Sequence, residues 1–447
     1  MTRMSFRFTV LAAMLSLPMT PATGQWRRSW DDRPIEPVAI PPSVQQGVGM
    51  IYIDPELAPA LRKREGPLQE LGIADEPGAP VDLFQPVSPF YTGLRRALAR
   101  YRADWGALPE VEVPSGAPLK PGAGGERVVA LRDRLGLEPG DRYDAAVAAA
   151  VKRYQAVHGM KPDGVAGAAT IDSLNRGFAH YERVLLLNLD RAKALPPSDD
   201  PGRYVVVDAG AARLHMVEGG VVRDSMKAIV GKAASATPMM AAVIRYASVN
   251  PYWNVPVDLA QTLVAPRVLA EGLGHIEAER YQLLSGWTED AEELDPAAVD
   301  WRAVADGAQE LRVRQRPGRG NSMGAIKFMM PNDYGIYLHD TNDKALFGRE
   351  DRWLSNGCVR VEDARRLATW LFGDMPTGKD PGVEEDVPLD RPTPVYITYF
   401  TAEGTADGVR FRPDPYGRDA AVLDRYAADP APPEDGRSLD RVGDVTG

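Results

Sequence analysis

Short β-branched runs dominate the middle of the chain: Tyr204-Val205-Val206-Val207, then Arg213-Leu214-His215-Met216-Val217, then a Glu218-Gly219-Gly220 turn and residues 221–229. This texture predicts a hairpin that opens a sheet. Upstream the period is helical. In residues 91–101 (YTGLRRALARY) Leu94, Leu98 and Tyr101 recur on one side with arginines opposite, the pattern of an amphipathic helix whose role is packing. Residues 126–175 predict three short helices, with Val128, Val129, Leu131 and Leu135 on the first, residues 146–157 on the second and a third ending near Leu174. Residues 178–195 read as a connecting helix that stops at Pro196-Pro197, where a backbone N–H is missing. Residues 257–311 interrupt the sheet with helical, partly acidic sequence, including Glu289-Asp290-Ala291-Glu292-Glu293, best taken as a solvated face. Gly335-Ile336-Tyr337-Leu338 is a β-type run, residues 364–372 a helix with Leu367, Trp370 and Leu371 inward, and residues 395–400 a last strand.

The ends differ in composition. Residues 1–24 run from basic (Arg3, Arg7) through an apolar stretch to Pro21-Ala22-Thr23-Gly24, the layout of a secretory signal peptide. Removing its two arginines takes the formal charge from −10 to about −12, which argues against nucleic acid as a partner. No later stretch reaches the length and apolarity of a membrane span. Residues 25–45 are Pro-rich and charged, as a linker is, and beyond Pro413 the chain is acidic and rich in Pro and Gly, as a disordered tail is.

Candidate chemistry gathers in residues 339–360, HDTNDKALFGREDRWLSNGCVR, where the only cysteine of 447 residues, Cys358, follows His339 by 19 positions. A lone thiol in an exported chain needs a purpose, since oxidising compartments favour paired cysteines or none. An imidazole within reach would take the thiol proton and lower its pKa. Gly357 leaves the backbone unobstructed, so that N–H groups around Gly357 and Cys358 would face an oxyanion. Arg360 offers a fork for a carboxylate, and residues 362–364 begin a helix, placing the cysteine before a helix N-terminus. No H-E-x-x-H, second cysteine, phosphate-binding loop or G-x-S-x-G elbow is present, so neither metal nor cofactor is expected.

His339-Asp340-Thr341 with Ser355-Asn356-Gly357-Cys358-Val359-Arg360 resembles the signature of the L,D-transpeptidase catalytic domain of YkuD type, commonly H-G-T and S-H-G-C-x-R; Asp340 and Asn356 depart from its commonest form. Val230-Gly231-Lys232, Thr237-Pro238, residues 250–256 and the run from Arg314 through Asn321 to Lys327-Phe328 are similar to the same family. Residues 154–170, with Tyr154-Gln155, Asp163-Gly164, Gly167 and Thr170, resemble a three-helix peptidoglycan-binding module. The resemblance implies an α+β architecture: a signal peptide (1–24), a linker (25–45), a helical scaffold (46–120), the binding-like module (121–178), a connecting helix (179–202), a β-rich catalytic domain (203–400) with a helical capping flap (257–311), and a mostly disordered extension (401–447). It also implies a periplasmic or wall-associated enzyme on peptidoglycan stem peptides and glycan strands, forming a thioester with expulsion of D-Ala and then a 3→3 cross-link, and reacting with carbapenems. Water or a D-amino acid as acceptor remains open, as does a non-catalytic scaffold. Cys358, His339 and Gly357 are the expected catalytic residues. Arg360, Ser355, Asn356, Asp340, Thr341, Asn321 and Trp253 are the expected substrate contacts. Trp253 is as readily core as cleft wall. Arg312, Arg314, Arg316, Arg319 and Lys327, with no acid among residues 312–332, would draw anionic stems inward.

Overall fold

The computed structural model describes residues 40, 41, 44, 49–58, 86–288 and 290–426. The expected signal peptide, most of the linker, residues 46–48 and 59–85 of the expected helical scaffold, Glu289 and the last 21 residues lie outside them.

Four helices lead: α1 (Pro89–Trp105), α2 (Glu126–Arg134), α3 (Ala145–Val157) and α4 (Ala168–Ala192). The side chain of Ser88 caps α1 by accepting from the Tyr91 N–H at 3.1 Å, and Leu94, Leu98 and Tyr101 form its buried face. On α2 Val128 and Leu131 are buried, whereas Val129 is 45% exposed, because only one side of a nine-residue helix meets the core. Gly177 breaks α4 internally with φ of 80°, so the third module helix and the connecting helix are one kinked element.

The Gln155 motif explains itself locally. Its side-chain nitrogen donates to Asp163, Val165 and Thr170, and its oxygen accepts from the Gly164 N–H at 2.9 Å. The glutamine, itself buried, staples the turn between α3 and α4, while Asp163 stays at the surface.

The sheet is built from β1 (Ile51–Tyr52), β2 (Arg203–Asp208), β3 (Arg213–Glu218), β4 (Val221–Gly231), β5 (Met240–Val249), β9 (Ile326–Met329), β10 (Leu338–His339), β11 (Trp353–Ser355), β12 (Val359–Val361) and β13 (Glu385–Thr398). Its order is β1-β5-β13-β2-β3-β4-β12-β10-β9, and a further β5–β9 pairing closes eight strands on themselves. Val205, Val207, Leu214, Met226, Phe328, Leu338, Val359, Val361, Val395 and Ile397 share the inner core. Tyr204, Val206 and Tyr396 pack outward on the helical part. Strand β2 is apolar at consecutive positions because both of its faces are covered.

The insertion forms its own core and is not purely helical. A three-stranded sheet of β6 (Trp253–Val255), β8 (Arg312–Gln315) and β7 (Tyr281–Leu284) packs with α5 (Ala265–Glu271) and α6 (Trp301–Ala305). The cap therefore begins before residue 257 and ends after 311. Helix α7 (Ala364–Phe372) buries Leu367 and Leu371, with Trp370 half-buried below Arg203.

Residues 401–426, expected within a mostly disordered extension, are folded. A hairpin of β14 (Ala402–Thr405) and β15 (Gly408–Phe411) lies against α1, and helix α8 (Ala420–Tyr426) follows. Phe411 is 3% exposed and stacks on His158, with centroids 5.3 Å apart, which a Pro/Gly-rich composition does not foreshadow.

Candidate active site

The site is assembled by sheet register. Strands β10 and β12 run parallel with Leu338 opposite Val359 and His339 opposite Arg360, and antiparallel β9 places Lys327 on the other side of His339. Leu338, Val359 and Val361 point into the barrel. Alternation therefore puts His339, Arg360 and Cys358 on the outer face. Diagonal neighbours of this kind sit roughly 7–8 Å apart at Cα, within reach of an imidazole. Tyr337 shares the face and packs against the cap core, so the thiol lies between barrel and cap.

Contacts at the sulfur are few. Cys358 Sγ donates to the Gly335 carbonyl at 3.3 Å and is half-buried. Tyr337, unforeseen from sequence, stands edge-on to His339 with ring centroids 5.7 Å apart, and its hydroxyl interacts both with the thiol and with Met323 Sδ at 3.6 Å. Burial pushes the Cys358 thiol up, against the opposing pull of Tyr337, Arg360 and Lys327. The expected lowering of the thiol pKa is thus reversed in the free protein, because desolvation outweighs the nearby cations. Burial and the Arg360 guanidinium hold the His339 imidazole down at about 3, the Asp340 backbone acting in the opposite sense. His339 is neutral at physiological pH, 2% exposed, and its Nδ1 has no hydrogen-bond partner among the described residues. The register thus gives a protonated thiol and a neutral imidazole on one face, the sulfur resting on the Gly335 carbonyl and not on the ring.

The cysteine precedes strand β12, not a helix; α7 starts six residues later, so no helix dipole acts on the sulfur. Gly357 has φ of +123°, and a Cβ there would meet Ile336 Cδ1 at 3.1 Å, so the turn requires glycine. Its N–H is not available to an oxyanion as expected, since Ser355 Oγ accepts it at 3.2 Å. The Cys358 N–H has no partner among the described residues.

Several expected substrate contacts are otherwise engaged. The Ser355 hydroxyl donates to the Cys358 carbonyl at 2.6 Å, closing the turn. Asp340 turns away from the imidazole: one carboxylate oxygen meets Lys344 Nζ at 2.6 Å and the other accepts from the Ala325 N–H at 2.9 Å. Thr341 Oγ1 accepts from the Asp343 N–H, and buried Asn321 bridges the carbonyls of Pro251, Gln315 and Arg316. Trp253 is 9% exposed in the cap core, where β6 needs a large apolar side chain, and does not wall a cleft. Asn356 is exposed beside the turn. Arg360 is half-buried, and its Nε has no partner among the described residues. Most of the basic run is neutralised locally, Arg312 by Glu310, Arg316 by Glu293 and Lys327 by Glu384, while Arg314 stacks on Tyr252. Among the described residues no three His, Cys, Asp or Glu side chains gather to hold a metal ion.

Comparison with known proteins agrees with both motif resemblances. Residues 202–397 match the family model described as L,D-transpeptidase catalytic domain (YkuD), and residues 129–174 match the "Putative peptidoglycan binding domain". A Haemophilus influenzae protein named "Putative L,D-transpeptidase" is 31% identical over 245 residues, covering 53% of this chain and 48% of that protein. The chain thus spans about half the length of that relative. An L,D-transpeptidase from Xylanimonas cellulosilytica is 16% identical, covering 64% of this chain and 98% of its own, with a TM-score of 0.22. One from Mycobacterium smegmatis is 12% identical, covering 44% and 58%, with a TM-score of 0.23. Overlaps this weak bear on neither fold nor function.

Proposed function

We propose that the protein is an L,D-transpeptidase of peptidoglycan in which Cys358 is the nucleophile and His339 the base. The observation that carries this reading is the register of β10 and β12, which sets the only thiol and a neutral imidazole on one outer face inside the matched segment. Because the imidazole is neutral and the thiol protonated, proton transfer accompanies attack.

The sulfur adds to the carbonyl between the diaminopimelate L-centre and the terminal D-Ala of a tetrapeptide stem. Charge develops on the carbonyl oxygen, to which the unpartnered Cys358 N–H donates, with the Tyr337 hydroxyl as second candidate donor. Collapse breaks the C–N bond. His339 returns its proton to the departing D-Ala amine, leaving a thioester on Cys358. A side-chain amine of a second stem then attacks, regenerating the thiol and forming the 3→3 link. Arg360 is assigned to a stem carboxylate, since a half-buried guanidinium with a free Nε is suited to a charge-assisted bond. Asn356 is assigned to the rim on its exposure.

The site of action is the cell wall or periplasm, where this substrate lies. Among the described residues no helix is long and apolar enough to cross a membrane. Docking of glycan by residues 129–174 is part of the same reading and rests on the family match.

Incubation of the purified protein with disaccharide-tetrapeptide, followed by mass analysis, tests the acceptor. Cross-linked dimers support the transferase reading. Tripeptide alone, or exchanged termini, would assign the same thioester to water or to a D-amino acid. No turnover, with Cys358→Ala retaining full activity in cells, would leave a non-catalytic wall scaffold.

A further inference from the structure

The planar Gly357–Cys358 peptide carries the Gly357 carbonyl and, pointing the opposite way, the Cys358 N–H. Fixing the direction of one fixes the other. The carbonyl accepts from Thr237 Oγ1 at 2.7 Å, and Thr237 has no exposed surface. The same hydroxyl oxygen accepts from the Gly231 N–H at 2.9 Å, while the Lys232 N–H donates to the Ser355 carbonyl at 2.9 Å. Residues 231–237 are therefore the wall against which the nucleophile turn is set.

One C-terminal segment holds both ends of that wall. The Tyr416 hydroxyl donates to the Gly231 carbonyl at 2.7 Å, and Arg418 Nη2 donates to the Thr237 carbonyl at 3.1 Å. The segment is itself fixed. Asp414 accepts from the Tyr399 hydroxyl and from the N–H groups of Arg418 and Asp419, at 3.0 and 2.8 Å for the last two. The Arg418 guanidinium lies 4.9 Å from the Tyr416 ring and 5.1 Å from that of Tyr399. Asp419 pairs at 2.8 Å with Arg191 of α4, both side chains being buried. Residues 414–419 lie beyond the segment matched to the catalytic family, which ends at residue 397.

We propose that residues 414–419 are a positioning brace for the nucleophile: through Tyr416, Arg418 and Thr237 they hold the Gly357 carbonyl so that the Cys358 N–H points at the developing oxyanion. The inference rests on Cys358 being acylated, as in the reading above, but not on which acyl donor it meets. A slack wall lets the peptide plane rock. The sulfur remains as nucleophilic as before, while stabilisation of a tetrahedral oxyanion weakens.

Two reactions at the same sulfur separate these effects, each followed by mass on the peptide that holds Cys358, the sole cysteine, so that acylation of amines elsewhere is not counted. With p-nitrophenyl acetate the sulfur adds to the carbonyl carbon, an oxyanion forms, and p-nitrophenolate leaves behind an acetyl thioester. With iodoacetamide the sulfur displaces iodide directly, and no oxyanion arises. In the full-length protein Thr237→Val is expected to slow acetylation about ten- to a hundredfold, part of the roughly 10²–10³ that one such donor contributes, and to change alkylation by less than about twofold. Thr237→Ser restores acetylation. Tyr416→Phe slows it about three- to tenfold, again with alkylation unchanged. Tyr143→Phe, which removes a matching 2.7 Å hydroxyl-to-carbonyl bond in the N-terminal module, changes neither rate. If Thr237→Val does not fold, Tyr416→Phe carries the test alone. Unchanged acetylation in the variants that fold, or a parallel fall of both rates, overturns the brace. The expected pattern in a protein that turns over no tetrapeptide stem would keep the brace and remove the cell-wall reading; stem turnover without the pattern would do the reverse.

Discussion

His339 lies directly across the parallel ladder from Arg360, so an imidazole and a guanidinium project from neighbouring strands onto one face, beside the thiol. Burial, and after it the guanidinium, keeps that imidazole neutral, at about 3.

In the unfolded chain an imidazole binds its proton near 6.5, while native His339 refuses it until about 3, so acid favours unfolding. The stability His339 contributes is complete above about pH 6.5 and is lost as pH falls from there towards 3, at up to roughly 1.4 kcal/mol per pH unit. His339→Gln removes that slope. Urea midpoints for both proteins at about pH 4.5 and about pH 7 check it, and equal acid sensitivity would contradict it.

Burial raises the thiol, so alkylation of Cys358 by iodoacetamide should keep climbing with pH and show no plateau by about pH 9. A preformed thiolate–imidazolium pair would level off in the neutral range instead. Stopped alkylation with mass readout distinguishes the two.

Trp253→Ala is a cap-core truncation. It is expected to cost about 3–5 kcal/mol of local stability, read as faster proteolysis within residues 253–315 with the barrel intact. A variant as resistant as wild type would return Trp253 to the cleft.

Gln155→Ala leaves several polar partners in the α3–α4 turn unmatched, a loss of about 1–3 kcal/mol in melting experiments. Turnover of soluble stems should be unchanged, since Gln155 contributes nothing to the face that carries Cys358. An unaltered melting temperature would contradict the stapling role.

Much of this was legible in the sequence. The hairpin around Glu218-Gly219-Gly220 and the 89–105 helix follow from periodicity that acts locally. What escaped depends on distant partners. Asp340, next to His339 in sequence, reads as a substrate contact, yet Lys344 and the Ala325 N–H hold its carboxylate. The thiol pKa depends on burial to which distant segments contribute, and no motif encodes that desolvation. Residues 414–419 look like a polar tail because their value lies in the carbonyls of Gly231 and Thr237.

The most direct test of the central claim is intact and peptide-level mass analysis of the protein quenched during turnover of disaccharide-tetrapeptide. A thioester on Cys358 with the mass of the stem less D-Ala, absent from Cys358→Ala, is the expected result. Sustained release of D-Ala by Cys358→Ala, with no adduct on the wild-type sulfur, would contradict it.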